Sequence, residues 1–489
     1  MAKNTQDCLF PSPRLPVSGE PLESFGGWKA ALALSMVGAG ATALFIFAPW
    51  SAVLVGVAAV LTVTRWPYGA LLVLIGASAM PGFLVQIFRS HKAELFGDPG
   101  WNARPEHFAV AIVSVAFGLW LLSHKREMRL EKLDYWLVAY VVINYASSAF
   151  GSSEPSSTLR WALMNNLAIL PYFLIRLLIR DLETLGRAFW ILLSVGIAES
   201  AYGILCYASR LVFGTVAGLD IGAYGGNLTV PYGSLYEPNL FGAYTACCAV
   251  LFLALYLCEG QHRFGYLVCV LVALLATVLS VSRGALFALL VALGWVFWKA
   301  RRLKKAPRNK LSTFILAFGL ILVMAATVTG SGLQERFGDL YQQGLGDETT
   351  VGRLVMIQAA LQEVPKHPLL GSGTASTGLT FDVGGATGQV GWVGNVTVRI
   401  LHDTGLLGLT VLAGFLISLW WRIRRGLRGW NSHVPMLIAL SAGALLYGIS
   451  FQFTDGTILA FCWVLLGLLA SAAILMKAPG ANGVTRGET

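Results

Sequence analysis

The sequence predicts an all-α polytopic membrane protein with about 14 transmembrane helices (12–14) and one large, ordered extracytoplasmic loop. Three observations predict it. Hydrophobic side chains make up 56% of the 489 residues and charged ones only 12%, about half the charged fraction of an ordinary soluble domain. The apolar residues gather in long runs, among them 264–280, 311–328 and 458–476, close to the ~20 residues that cross a bilayer core. Those runs lack the polar stripe that a surface helix of a soluble protein shows at helical spacing. The net charge of +10 then reads as basic loops holding the cytoplasmic side. No interleaved basic and aromatic surface points to nucleic acid, so no nucleic-acid partner is expected.

Taken in order, the candidate spans are 29–48, 50–64, 67–88, 106–123, 134–150, 161–178, 188–208, 238–257, 264–281, 284–299, 311–329, 404–421, 434–451 and 457–476. The polar stretch 1–28 precedes them. The first apolar run is long enough to span and has no clear cleavage site, so it reads as a retained helix and not a secretory signal. With the N-terminus cytoplasmic, 25 of the 35 Lys and Arg residues lie inside and 10 outside. The basic segments 124–132, 176–187, 299–310 and 422–428 are then all cytoplasmic, as the positive-inside rule requires. The bulky loops, 89–106, 152–160, 210–238 and 330–403, fall on the opposite face, where the chemistry is expected. The expected plan is a cytoplasmic tail (1–28), eleven helices (29–329), an outer loop (330–403), three helices (404–476) and a second cytoplasmic tail (477–489).

The long loop reads as ordered. Leu354, Ile357, Leu361 and Val364 are spaced like one face of a helix over 351–364, with Thr350 placed to cap it. Pro365 to Pro368 end it, and a Gly-, Ser- and Thr-rich stretch, 371–394, follows with a backbone free to wrap a ligand. None of the seven cysteines lies in this loop, so no disulfide framework is implied.

Several polar residues invite a chemical reading. Arg283 sits between two apolar spans in Ser280-Val281-Ser282-Arg283-Gly284; it is either an interfacial anchor or a fork for phosphate oxygens. Arg353 lies in the first turn of the loop helix, where a helix N-terminus plus Arg favours an anion. Arg399 and Arg160 stand beside outer span ends. Asp403, Glu237 and Asp455 are carboxylates near span starts or in an outer turn, each able to cap a helix or to serve as a base. The outer histidines His91, His107, His367 and His402 show no metal spacing. No P-loop, dinucleotide fingerprint, nucleophile elbow or zinc-protease motif is present. No cofactor and no metal are therefore expected.

Four pieces taken together resemble the superfamily of O-antigen ligases and Wzy-type O-antigen polymerases, over about residues 230–420. They are Pro238-Asn239 at a helix start, the Ser280–Gly284 turn, Thr350-Val351-Gly352-Arg353 leading on to His367-Pro368-Leu369-Leu370-Gly371-Ser372-Gly373, and Gly394-Asn395 followed by Asp403-Thr404-Gly405-Leu406-Leu407-Gly408-Leu409. The resemblance implies a metal-independent glycosyltransferase of the bacterial inner membrane. Its donor would be a polyprenyl-diphosphate-linked oligosaccharide, and its acceptor another glycan or lipid A-core. Membrane lipid and a chain-length regulator are the further partners it allows. It implies that Arg283 and Arg353, aided by Arg399 and Arg160, hold the diphosphate. Asp403 would orient or deprotonate the acceptor, and Glu237, Asn239, His367, Asn395 and His402 would line the substrate loop. Ligases of the family carry His-Asn where this chain has Gly394-Asn395, which inclines the reading to a polymerase. A ligase and a lipid-linked oligosaccharide flippase are the alternatives.

Overall fold

A computed structural model describes residues 60, 67–81, 85–86, 102–124, 130–214, 219–221, 229–235, 237–258, 263–302, 310, 312–316, 318–319, 348–377, 393–428 and 433–476. The expected first span, most of the second and of 311–329, His91, the tail after 477 and much of the long loop lie outside these residues.

The described helices, in chain order, are α1 (Pro67–Ser78), α2 (Pro105–His124), α3 (Lys132–Phe150), α4 (Pro155–Leu178), α5 (Leu182–Phe213), α6 (Pro238–Cys258), α7 (Arg263–Leu279), α8 (Arg283–Arg302), α9 (Glu348–Glu363), α10 (Val396–Gly426), α11 (Val434–Ser450) and α12 (Ala460–Leu475). Two small antiparallel pairs accompany them, β1 (Val85–Gln86) with β2 (Asn102–Ala103) and β3 (Leu219–Ile221) with β4 (Thr229–Pro231). Among the described residues, five helices are long and apolar enough to cross a membrane: α4, α5, α6, α8 and α10. The chain is a helical membrane protein.

Local chemistry explains the helix starts. Proline opens α1, α2, α4 and α6, at a position where the missing N–H would have no helical partner. Asp181 accepts from the Thr184 N–H at 2.7 Å before α5, and Asn395 accepts from the Val398 N–H at 3.0 Å before α10. Both are N-caps satisfying an orphan donor.

Two expectations are corrected. The span predicted over 67–88 is not one helix: α1 ends at Ser78, and 85–86 form a strand. Pro81 explains the stop, since the residue before proline is pushed out of the helical region. The loop helix begins at Glu348, so Thr350 is inside it and not its cap. Its buried face is Met356 and Ala360, whereas Leu354 and Leu361 are nearly half exposed.

The core is organised around α6. Every one of its residues except Asn239 is buried, as an all-round apolar helix at the centre of a bundle must be. It packs against α5, α7, α8 and α11. Small residues let the backbones approach: a Cβ on Gly242 would fall 2.9 Å from the Ser282 Cβ, and one on Gly443 2.8 Å from the Cys247 sulfur. A second group, α3, α4, α10 and α12, packs alongside and carries most of the candidate site.

Candidate functional site

Helix α10 is broken. Gly405 has φ 63° and ψ −166°, a conformation open essentially to glycine alone. A break exposes carbonyls on one side and N–H groups on the other, and within a membrane protein these need partners. The segment His367–Gly373 supplies them. The Leu406 and Leu407 N–H groups donate to the carbonyls of Pro368 (2.9 Å) and Leu369 (3.1 Å). The His402 and Asp403 carbonyls accept from the N–H groups of Ser372 (2.9 Å) and Gly373 (3.0 Å). A Cβ at Gly371 would lie 2.5 Å from the Asp403 carbonyl carbon, and one at Gly405 would strike the Leu369 carbonyl. The glycines of both motifs thus exist to let two backbones splice.

Helix α3 locks the splice from the other side. The Ser147 hydroxyl donates to the Asp403 carbonyl and accepts from the Gly373 N–H at 3.1 Å. Ser148 accepts from the Thr374 N–H at 3.1 Å.

Just before the break lies a buried ionic cluster. Arg399, His402 and Asp403 are each 2% exposed or less. Asp403 Oδ2 accepts from the Ala375 N–H at 2.9 Å and from Arg399 Nη1 at 3.4 Å. Its Oδ1 meets His402 Nδ1 at 3.1 Å. Arg399 Nε pairs with Asp455, and its Nη2 donates to the Thr457 hydroxyl at 2.6 Å. Asp455 in turn accepts from the Thr457 N–H at 2.9 Å. Tyr140 is buried within electrostatic reach of Arg399, Asp403 and Asp455.

The cluster adjoins a small pocket lined by Arg104, Trp161, Met164, Asn165, Thr374, Ala375, Arg399 and Ile458. Two arginines thus line one pocket. Arg104 is steadied by Glu106 and by the Ile458 carbonyl, each at 3.4 Å. Ala375, whose N–H holds Asp403, has φ 58°, an unfavourable value for a residue with a Cβ. Val281, in the Arg283 turn, has φ 52°. Backbone strain of this kind persists where the surroundings enforce it, commonly at functional sites.

The turn 451–457 gathers the remaining motifs. The Val396 N–H donates to the Phe451 carbonyl at 2.9 Å, and Asn395 Nδ2 to the Gln452 carbonyl at 3.1 Å. A Cβ on Gly284, beside Arg283, would lie 2.7 Å from the Phe453 Cβ. Thr454 donates to Glu237 at 3.2 Å, and Asn239 Nδ2 donates to the same carboxylate at 2.9 Å.

The sequence-derived residues are thus placed unequally. Arg399, His402 and Asp403 come together, and Glu237 pairs with Asn239. Asp403 does not begin its helix: Val396 does, capped by Asn395, and Asp403 lies two residues before the break. Arg283 is half-buried at the start of α8, Arg353 half-buried on α9, and Arg160 exposed beside the cavity residue Trp161. His367 is exposed; its backbone carbonyl accepts from Gly371 at 2.8 Å. His107 accepts from the Arg104 N–H at 3.2 Å through Nδ1. Sequence reasoning missed Arg104, although it is an outer cation next to a span, the criterion that selected Arg160 and Arg399. It also gave Asp455 no more weight than its neighbours, because only the fold pairs that residue with Arg399. Among the described residues no group of His, Cys, Asp and Glu is placed to hold a metal ion.

Residues 267–413 match the family described as O-antigen ligase (Wzy_C). This part of the chain is similar to that family. No curated protein matches the chain. The matched region runs from α7 into α10 and includes the Arg283 turn, α9, the spliced segment and the break. Pro238-Asn239, Arg104 and the turn 451–457 lie outside it, and the broken helix joins the two parts.

Proposed function

We propose that the chain is a membrane glycosyltransferase that polymerises polyprenyl-diphosphate-linked oligosaccharide units on the outer face of the bacterial inner membrane. The observation that carries this reading is the pocket lined by Arg104 and Arg399, beside a strained loop and a carboxylate. Paired guanidinium groups suit the oxygens of a diphosphate. In the reaction an acceptor hydroxyl oxygen bonds to the anomeric carbon of the donor. The bond from that carbon to the diphosphate oxygen breaks, and its electron pair leaves on the polyprenyl diphosphate. The hydroxyl proton passes to a carboxylate, with Glu237 as the candidate. Arginines stabilise the charge that grows on the leaving group. Nucleotide is not called for, because the donor bond is already activated.

Asp403 acts here mainly by position. Its oxygens are engaged by Ala375, Arg399 and His402, so it orients the arginine and the loop. The resemblance assigns Arg283, Arg353 and Arg160 to the diphosphate as well. With both termini cytoplasmic, the site opens to the periplasm, where the acceptor glycan is found. The ligase reading, transfer to lipid A-core, is favoured by the similarity to the O-antigen ligase family, while Gly394 in place of the family histidine favours polymerisation.

Reconstitution in liposomes with a short polyprenyl-diphosphate oligosaccharide tests this. We expect a ladder of products, lost in Arg104→Gln and in Arg283→Ala with the protein still folded. A single product formed only with lipid A-core would make it a ligase. A ladder unchanged in both variants would remove the site from this cavity, and lipid movement without product would make it a flippase.

A further inference from the structure

At the far end of α10 from the break, two helices bring aromatic rings and cations together. On α8, Val291, Trp295, Trp298, Lys299 and Arg302 recur at intervals of three and four, and so share one face. On α10, Ile417, Trp420 and Trp421, and Arg424 do the same. The faces meet where Trp295 lies 5.4 Å from Trp420, and Trp295 also lies 5.3 Å from Trp298. Lys299 Nζ sits over the rings of Trp295 (4.7 Å) and Trp298 (4.5 Å). Arg302 stands over Trp298 at 5.7 Å, and Arg424 over Trp421 at 5.4 Å. Lys299 is within electrostatic reach of both Arg302 and Arg424.

These three cations repel one another, and among the described residues no carboxylate pairs with any of them. Over 299–310 the sequence holds Lys299, Arg301, Arg302, Lys304, Lys305, Arg308 and Lys310 with no acid between them. Trp faces offset part of the repulsion, but an anion would offset more. Toward the helix middles the same faces turn apolar and open: Leu290, Val291, Leu416 and Ile417 are 39 to 60% exposed. The shape is a groove that is hydrocarbon below, aromatic at the boundary and cationic at the end. That is the profile of a lipid with a phosphate headgroup, since Trp prefers the membrane interface and basic pockets between transmembrane helices hold anionic headgroups.

We propose that Lys299, Arg302 and Arg424, with Trp295, Trp298 and Trp421, form a binding site for an anionic phospholipid in the leaflet at the basic end of α8 and α10. The acyl chains lie along Val291 and Ile417, and the phosphate bridges the two helix ends. The site is separate from the cavity at Arg104 and Arg399 and does not depend on the reaction proposed there.

The test uses the full chain purified in a mild detergent and titrated with single lipids, read by native mass spectrometry and by thermal unfolding. Phosphatidylglycerol or cardiolipin should bind at least about tenfold more tightly than phosphatidylcholine with the same acyl chains, as three headgroup contacts from Lys and Arg imply. The triple variant Lys299→Gln/Arg302→Gln/Arg424→Gln should bring the two lipids to parity. These side chains are on the protein surface, and the unfolding midpoint without lipid checks that the variant is folded. If it is not, the single variant Arg424→Gln should still lower the preference. Inorganic phosphate should not compete, because the groove also holds the acyl chains. Equal binding of anionic and choline lipids, an unchanged preference in the folded variants, or binding of a polyprenyl monophosphate in preference to every phospholipid would overturn the proposal.

Discussion

Before its break, α10 buries Arg399, His402 and Asp403 against Asp455, while at its other end it leaves Trp420, Trp421 and Arg424 on the surface. Charge is handled by different physics at the two ends. A buried guanidinium is tolerable only with partners that replace its lost hydration, and Arg399 has Asp455, Asp403 and Thr457. An exposed cation keeps its water and needs only a ring face to rest on. The contrast teaches which charges are fixed by partners within the fold and which are not. Before the break, each charge is held by another element: Asp403 by the loop at Ala375, and Arg399 by the turn at Asp455. At the basic end the cations answer to Trp rings and are available to something outside the chain.

The largest expected effect follows from removing one partner at the buried end. Arg399→Ala leaves Asp403 and Asp455 buried without their cation and should destabilise the protein by about 3–5 kcal/mol, the usual loss when a buried pair is broken on one side. Thermal unfolding in detergent measures it. Arg399→Met combined with Asp455→Leu should lose less than Arg399→Ala alone, because no unpaired charge remains at position 455. A double variant that loses more would show that the two side chains are not coupled. Arg424→Ala at the other end should leave the midpoint unchanged.

The next effect is steric. Gly405→Ala demands a left-handed conformation of a residue with a Cβ, at a cost of about 1–3 kcal/mol. The added carbon also strikes the carbonyl of Leu369. We expect a lower unfolding midpoint and faster proteolysis within 367–377, since the splice from Pro368 to Gly373 should loosen first. Loss of stability with no new cleavage in that segment would mean that the break does not hold the loop in place.

Legibility in the sequence followed the physics. Apolar runs located helices well, so α2, α6 and α8 lie within a few residues of the runs read from the sequence. The 67–88 run failed because hydropathy is blind to a proline that stops a helix. The buried side of α9 was not readable for a related reason. Spacing says which residues share a face, not whether that face meets protein or lipid, and Leu354 and Leu361 proved exposed. At the site, Arg399, His402 and Asp403 could be nominated because they lie at one span end. Arg104 met the same criterion and was passed over, whereas Asp455 could not be singled out, since it matters through Arg399, a whole helix away. Gly371 and Gly373 looked like part of a flexible wrapping stretch, and only the backbone pairing shows that Gly371 and Gly405 are close-contact points of a splice.

The smallest effect on stability is expected where the chain departs from the ligases it resembles, and it bears most directly on function. Gly394 has no left-handed φ, and a Cβ there would meet only the Phe453 carbonyl at 3.7 Å, an ordinary contact. Space is therefore not the reason for glycine. Gly394→His should fold with a stability change within about 0.5 kcal/mol, as surface substitutions free of special contacts do. It would set an imidazole next to Asn395, whose side chain caps α10 and bonds the Gln452 carbonyl of the turn that holds Asp455. Offered both a lipid-linked oligosaccharide and lipid A-core, the natural chain should give a ladder, and Gly394→His should add a product of single transfer to the core. If the natural chain already makes that product at the same rate, residue 394 does not decide the acceptor, and the choice between polymer and ligation must lie in the cavity around Arg104.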